Sequence, residues 1–189
     1  MTKKGKIKAF SLILAFFVLI ASLGAIGAKT VIKTFYPLAY SDLVEKYAAE
    51  YGIDRILLYS VIKTESSFEP DAVSYANAIG LTQITEETFD WIKSKIGGDE
   101  QFNDLFTEEV SIRYGAFLLS YLVDEFENTE TALAAYHAGR GRVNEWLSDP
   151  AISPDGKTLS QIPIDDTAHY VRKVTRAMNI YKNLYFKEA

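Results

Sequence analysis

The chain has 189 residues, of which 48% are hydrophobic and 24% charged, with a net charge of -5. This is the composition of a folded domain of ordinary size, and it excludes disordered, collagenous and coiled-coil chains. With no cysteine and 2 histidines, the chain cannot hold a disulfide framework, a thiolate nucleophile or a Cys-type zinc site, and a multi-histidine metal centre is not expected. The acidic balance argues against a nucleic-acid partner, but it does not repel a neutral or zwitterionic polymer such as a glycan.

The charge is unevenly placed. Lys3, Lys4, Lys6 and Lys8 precede a stretch without charge from Ala9 to Ala28, and no acidic residue occurs before Asp42. About twenty apolar residues span a bilayer as a helix. With the lysines in front, the positive-inside rule keeps the N-terminus in the cytoplasm and sends the remainder outward. An uncleaved single-pass anchor over 1–28 is the expectation. A cleaved signal peptide is the rival, and it would release the remainder as a secreted domain. Either way residues 29–189 lie outside the cytoplasm.

Beyond that segment, 29–40 reads as a stalk in which Pro37 limits regular structure, and 41–189 reads as one all-α domain. Asp42 with Glu45 forms a capping-box pattern opening a helix that ends at Gly52. Asp54 caps a second helix, roughly Arg55 to Ser67, closed by Pro70. A small irregular lobe is expected between Phe68 and Ile84. Thr85 caps a third helix, with acidic residues at its start, lysines near its end and Gly97-Gly98 after it, an order that suits the helix dipole. Thr107 opens a long helix through about Phe126, Thr129 another to Gly139, and a short one covers Arg142 to Leu147. Ser153-Pro154-Asp155-Gly156 is a turn. Asp165 or Asp166 caps a last helix reaching about Tyr185. No strand alternation and no internal repeat is evident.

One carboxylate sits where a surface residue should not. Leu57, Leu58, Val61 and Ile62 form the apolar stripe of the second helix, and Glu65 continues it, four residues after Val61 and seven after Leu58. A Glu on the buried side of a helix end loses hydration, which favours the neutral acid and raises its pKa. Glycosidic cleavage needs such an acid to protonate the leaving oxygen. On periodicity alone, the same Glu could instead bend out to solvent in the last turn or pair with a cation.

The neighbouring sequence adds to this. ESSFEPDAVSYANAIGLTQIT runs over 65–85, AAYHAGRGRV over 134–143 and DDTAHYV over 165–171. In this order and at these spacings the three segments resemble the soluble lytic transglycosylase family, of goose-type lysozyme-like fold, across about residues 40–186. The family reads E-S-x-F-x-P-x-A-x-S, then G-L-M-Q, then A-Y-N-A-G, then E-T-x-x-Y-V. The resemblance makes 41–189 the catalytic domain and Glu65 the acid/base. It makes Ser74 the serine that polarises the N-acetyl group or positions its sugar, and Gly80, Leu81 and Gln83 the cleft wall beside the acid. It brings Tyr136 close to the catalytic carboxylate and puts Tyr170 on the aromatic of the last motif. It implies cleavage of the β-1,4 bond between N-acetylmuramic acid and N-acetylglucosamine in peptidoglycan glycan strands, without water, leaving 1,6-anhydromuramoyl ends. No cofactor and no metal is implied.

The chain departs from the family pattern in three places. Thr82 replaces Met, which bears on the shape of the sugar subsite. His137 replaces Asn, and it can keep a polar contact through a ring nitrogen while adding pH sensitivity. Asp165 or Asp166 replaces the last Glu, and either could equally be an N-cap. Two other readings compete with the lytic enzyme: a muramidase on the same fold with water held by Asp71 or another carboxylate, and an inactive glycan-binding scaffold domain.

Overall fold

A computed structural model of the chain describes residue 27 and residues 29–187. The apolar span expected over 9–28 lies, Gly27 apart, outside the described residues. Among the described residues no helix is long and apolar enough to cross a membrane. Contacts divide the chain after Pro37. In the first unit residues 29–35 are helical and carry exposed Val31, Ile32 and Phe35. The expected stalk therefore holds regular structure up to the approach to Pro37.

The second unit is built from helices. They are α1 (Ser41–Tyr51), α2 (Arg55–Glu65), α3 (Glu86–Ile96), a 3-10 turn (Phe102–Phe106), α4 (Glu108–Phe126), α5 (Thr129–Ala138), α6 (Arg140–Leu147) and α7 (Asp165–Tyr185). Between α2 and α3 the lobe is pinned by two isolated bridges, Val73 with Ile79 and Ile79 with Ile84, and no longer strand forms among the described residues. Helix α2 lies at the centre, packed against α1 and α7, while α5 packs between α4 and α7. Its stripe is fully committed: Leu58, Val61 and Ile62 have no exposed surface. Tyr59 on its other side stacks on Tyr181 of α7, with ring centroids 5.5 Å apart. Burying four such apolar side chains contributes about 6–12 kcal/mol of transfer free energy, which fixes the direction in which the end of α2 points.

Local chemistry sets most helix ends. The Asp54 carboxylate accepts from the Ile56 N–H at 2.7 Å, and the Thr85 hydroxyl accepts from the Thr88 N–H. Gly52 and Gly97 close α1 and α3 with positive φ. Three expectations are corrected. The Asp42/Glu45 capping box does not form: α1 starts one residue earlier behind Tyr40, with no side-chain cap. Helix α2 ends at Glu65 rather than Ser67, because Ser67 and Phe68 turn into the left-handed region (φ 54 and 69) and the Ser66 hydroxyl takes the Phe68 N–H. Helix α5 opens at Thr129 as expected, behind an Asn128 cap. Ile164 precedes α7 with no side-chain cap, so Asp165 and Asp166 lie in its first turn.

The loop after α2 is held against α4 by a tight approach. The Thr82 N–H donates to the Ser111 hydroxyl at 3.1 Å, and the Thr82 hydroxyl donates to the Ser111 carbonyl at 2.8 Å. Gly80 allows this contact, since a Cβ there would lie 2.1 Å from the Leu105 carbonyl oxygen and its φ is +78. Gly115 allows it from the other side, where a Cβ would lie 2.4 Å from the Thr82 methyl. Gly80→Ala is therefore expected to destabilise the domain by about 2–4 kcal/mol, read as a lower midpoint in urea unfolding.

Candidate active site

The α2 geometry delivers Glu65 to the floor of a groove of about 690 Å³. The walls are Ser74, Tyr75 and Ala76 from the lobe, Gln83 to Thr85 and Thr88 at the start of α3, Leu118 of α4, Tyr136 to Gly139 at the end of α5, and Asp166 of α7. A narrower stretch of about 370 Å³ continues it past Trp91 and Arg140, with Thr88, Leu118, Tyr136 and Gly139 common to both. The two stretches adjoin, so the groove extends from the lobe past the end of α5 to Trp91 of α3.

Glu65 keeps only part of its surface exposed, and protein surrounds its carboxyl. Desolvation pushes its pKa up to about 7, and Tyr170 acts against that rise. No neighbouring carboxylate drives the shift. Tyr136 and Tyr170 flank the group: both phenols are raised well above 10, first by burial and then by the charge of Glu65. The Tyr136 hydroxyl donates to the Thr82 carbonyl at 2.7 Å. Its proton is thereby committed to the loop and not to Glu65. The Tyr170 hydroxyl is buried with no hydrogen bond of ordinary geometry, although it faces Glu65 closely enough to favour the carboxylate.

Of the other residues singled out in the sequence, Ser74, Gln83 and His137 line the groove, whereas Gly80 and Leu81, expected in its wall, are buried and lie outside its lining because Gly80 packs on the Leu105 carbonyl. Ser74 is exposed on the groove wall and its hydroxyl accepts from the Ala78 N–H at 3.1 Å, leaving its own proton free. Gln83, held at φ 49, spends its amide N–H groups on the Ala72 and Gly80 carbonyls at 3.0 and 2.9 Å. Only its Oε1 remains for the groove. His137 stacks on Tyr170 with centroids 4.6 Å apart, and its Nδ1 lies 3.1 Å from the Thr167 hydroxyl. Burial lowers its pKa, against the opposing charge of Asp166. Tyr170 is buried and lies outside the groove lining.

Thr82 requires a correction. It has no exposed surface and points into the contact with Ser111 and Gly115, so its small size shapes the core and not the sugar subsite. Its carbonyl, however, anchors Tyr136. Glu69 and Asp71 are exposed and do not line the groove, so Asp71 is not placed to hold a water there. Asp166 does line it. Its spacing of four before buried Tyr170 on one helix face was the available signal. Arg140 is paired with Glu125. Among the described residues no cluster of metal-ligating side chains forms.

The profile of the transglycosylase SLT domain matches residues 42–157, more than half of the chain. The chain belongs to the transglycosylase SLT family. It is 32% identical over 143 residues to a soluble lytic murein transglycosylase of Escherichia coli strain K12, covering 74% of this chain and 22% of that protein. It is 36% identical over 166 residues to a membrane-bound lytic murein transglycosylase C of Histophilus somni strain 2336, covering 76% of this chain and 46% of that one. Its fold superposes on an inactive mutant of lytic transglycosylase Slt from Pseudomonas aeruginosa with a TM-score of 0.69 at 30% identity, over 78% of this chain and 24% of that one. The chain thus spans less than half the length of these relatives. The SLT match ends before α7, so the placement of Asp166 and Tyr170 rests on the packing of α7 against α2 and α5.

A carboxyl with a folded pKa near 7 and an unfolded value near 4.5 binds its proton more tightly when folded. Stability is therefore fully present below about pH 4.5, falls as pH rises toward 7, and stays reduced above. Glu65→Gln, which cannot ionise, is expected to be more stable than the native chain at pH 8, by up to about 3 kcal/mol. The two should converge near pH 4 in denaturant titrations.

Proposed function

We propose that this chain is a peptidoglycan lytic transglycosylase that cleaves the N-acetylmuramic acid to N-acetylglucosamine β-1,4 bond with Glu65 as acid and then base. It is held at the outer face of the membrane by its N-terminal apolar segment. The observation that carries the reading is a single desolvated carboxyl on the floor of a long groove, half protonated near neutral pH. The lysines before an uncharged stretch support the anchor, as does the name of the membrane-bound relative. The muramidase reading survives through Asp166, the other carboxylate on the groove wall, whose charge acts on His137.

In the first step protonated Glu65 donates to the glycosidic oxygen as the bond to C1 breaks. The positive charge that develops at C1 needs a partner. A retaining hydrolase would present a second carboxylate about 5 Å from the first, whereas no carboxylate perturbs Glu65 here. The substrate's own N-acetyl carbonyl supplies the partner, with the free Ser74 proton and the Gln83 Oε1 placed to orient that group. The C6 hydroxyl then attacks C1, and ionised Glu65 takes its proton, which closes the 1,6-anhydro ring and restores the acid. A pKa near the working pH suits both halves of this cycle. Tyr170 favours the carboxylate form against the desolvation that favours the acid, so the two effects hold the group between its states.

The products test this reading. Mass spectrometry of fragments released from purified peptidoglycan is expected to show 1,6-anhydromuramic ends, each one water lighter than a hydrolysis product, and Glu65→Gln is expected to release none. Reducing muramic ends would establish the muramidase. A chain that sediments with the wall and releases nothing would be a scaffold. Tyr170 lowers the Glu65 pKa, so Tyr170→Phe is expected to move the alkaline limb of kcat/KM above its native midpoint of about 7. An unmoved limb would remove Tyr170 from the acid's surroundings.

A further inference from the structure

Tyr75 stands out from the rest of the groove. It is fully exposed, at 109% of its reference surface, and makes no hydrogen bond or ring contact with the described residues. Yet it lines the same groove as Glu65. Other large aromatic side chains near this groove are packed: Trp91 meets Tyr121 edge-on at 4.9 Å, and Tyr170 lies under His137.

The segment that carries Tyr75 is stiff. The Ser74 N–H donates to the Ala78 carbonyl at 2.9 Å, the Asn77 N–H to the Ser74 carbonyl at 3.0 Å and the Gly80 N–H to the Ala72 carbonyl at 3.0 Å. The Ser74 hydroxyl takes the Ala78 N–H, the Gln83 amide ties down the Ala72 carbonyl, and Asn77 completes the turn at φ 56. A tyrosine on such a base has only two side-chain torsions to order on binding, so it offers a large amphipathic face at low entropic cost. The faces of pyranose rings are apolar C–H surfaces that match an aromatic plane, while their rims carry hydroxyls that a phenol can meet.

We propose that Tyr75 is a stacking platform for a sugar ring of the glycan chain, setting affinity at the lobe side of the groove without taking part in proton transfer. This inference rests on the reading that the groove takes a glycan. Because Tyr75 packs on nothing, its replacement leaves the fold intact, and unfolding temperatures of the variants should match the parent.

The test uses binding, separately from turnover. The full chain carrying Glu65→Gln is titrated by co-sedimentation with insoluble peptidoglycan stripped of its stem peptides. Adding Tyr75→Ala is expected to weaken binding about tenfold, while Tyr75→Phe and Tyr75→Trp stay within about twofold of the parent. Unchanged affinity on Tyr75→Ala overturns the proposal, and so does a loss for Tyr75→Phe as large as that for Tyr75→Ala, since the hydroxyl rather than the ring face would then carry the contact. A parent that does not bind the glycan overturns it together with the groove's assignment. If the native chain releases no anhydro ends while the Tyr75 series behaves as expected, the chemistry assigned to Glu65 fails and the platform stands.

Discussion

Placing a carboxyl at the end of an apolar helix face is the constraint on which the rest of this molecule depends. Leu58, Val61 and Ile62 have no alternative to burial, and at 3.6 residues per turn that choice aims Glu65 inward as well. The helix stops there, and the left-handed Ser67 and Phe68 carry the chain away. A charge at that point is costly, and the cost is expressed as a raised pKa. The stability lost above neutral pH and the acid available for chemistry are therefore two readings of the same desolvation.

The scaffold around Glu65 works mainly through positions that never meet a ligand. Gly80, Ser111 and Gly115 let the loop of residues 80–83 lie against α4. Thr82 locks it there through Ser111 and offers its carbonyl to Tyr136. A chain of two contacts, Ser111 to Thr82 and Thr82 to Tyr136, thus runs from the core of α4 to the phenol beside the acid. The Ser66 hydroxyl closes the other side by donating to the Leu81 carbonyl at 2.9 Å. Replacing a flexible amide with His137 at the end of α5 leaves an aromatic plane over Tyr170 and so braces the second phenol.

Much of this was legible in the sequence, for identifiable reasons. Asp54, Thr85, Gly52 and Gly97 announce their helix ends because each acts within a few residues of itself. The direction of the Glu65 shift followed from periodicity, which needs only α2 and a core to face. What was not legible depended on partners distant in sequence. Asp42 and Glu45 have the spacing of a capping box, but Tyr40 takes a left-handed turn that starts α1 without them. Thr82 looked like a groove residue because its neighbour Gln83 is one, and only the facing Ser111 and Gly115 show that its side chain points inward, as that of Leu81 does too. The 3-10 turn at Phe102–Phe106 sets Phe102 edge-on against Phe89, which itself stacks on Tyr114, and carries no periodic signal of its own. The platform at Tyr75 was hidden for the opposite reason, since an aromatic between Ser74 and Ala76 shows nothing of its exposure.

The central claim is that burial alone holds Glu65 protonated near neutral pH. The most direct measurement is a carbon NMR titration of its side-chain carboxyl in the folded chain, with Glu65→Gln identifying the resonance. The account predicts a single transition with a midpoint near 7. A midpoint near the ordinary 4.5 would mean a solvated carboxylate, and the acid step assigned to it would have no donor at working pH.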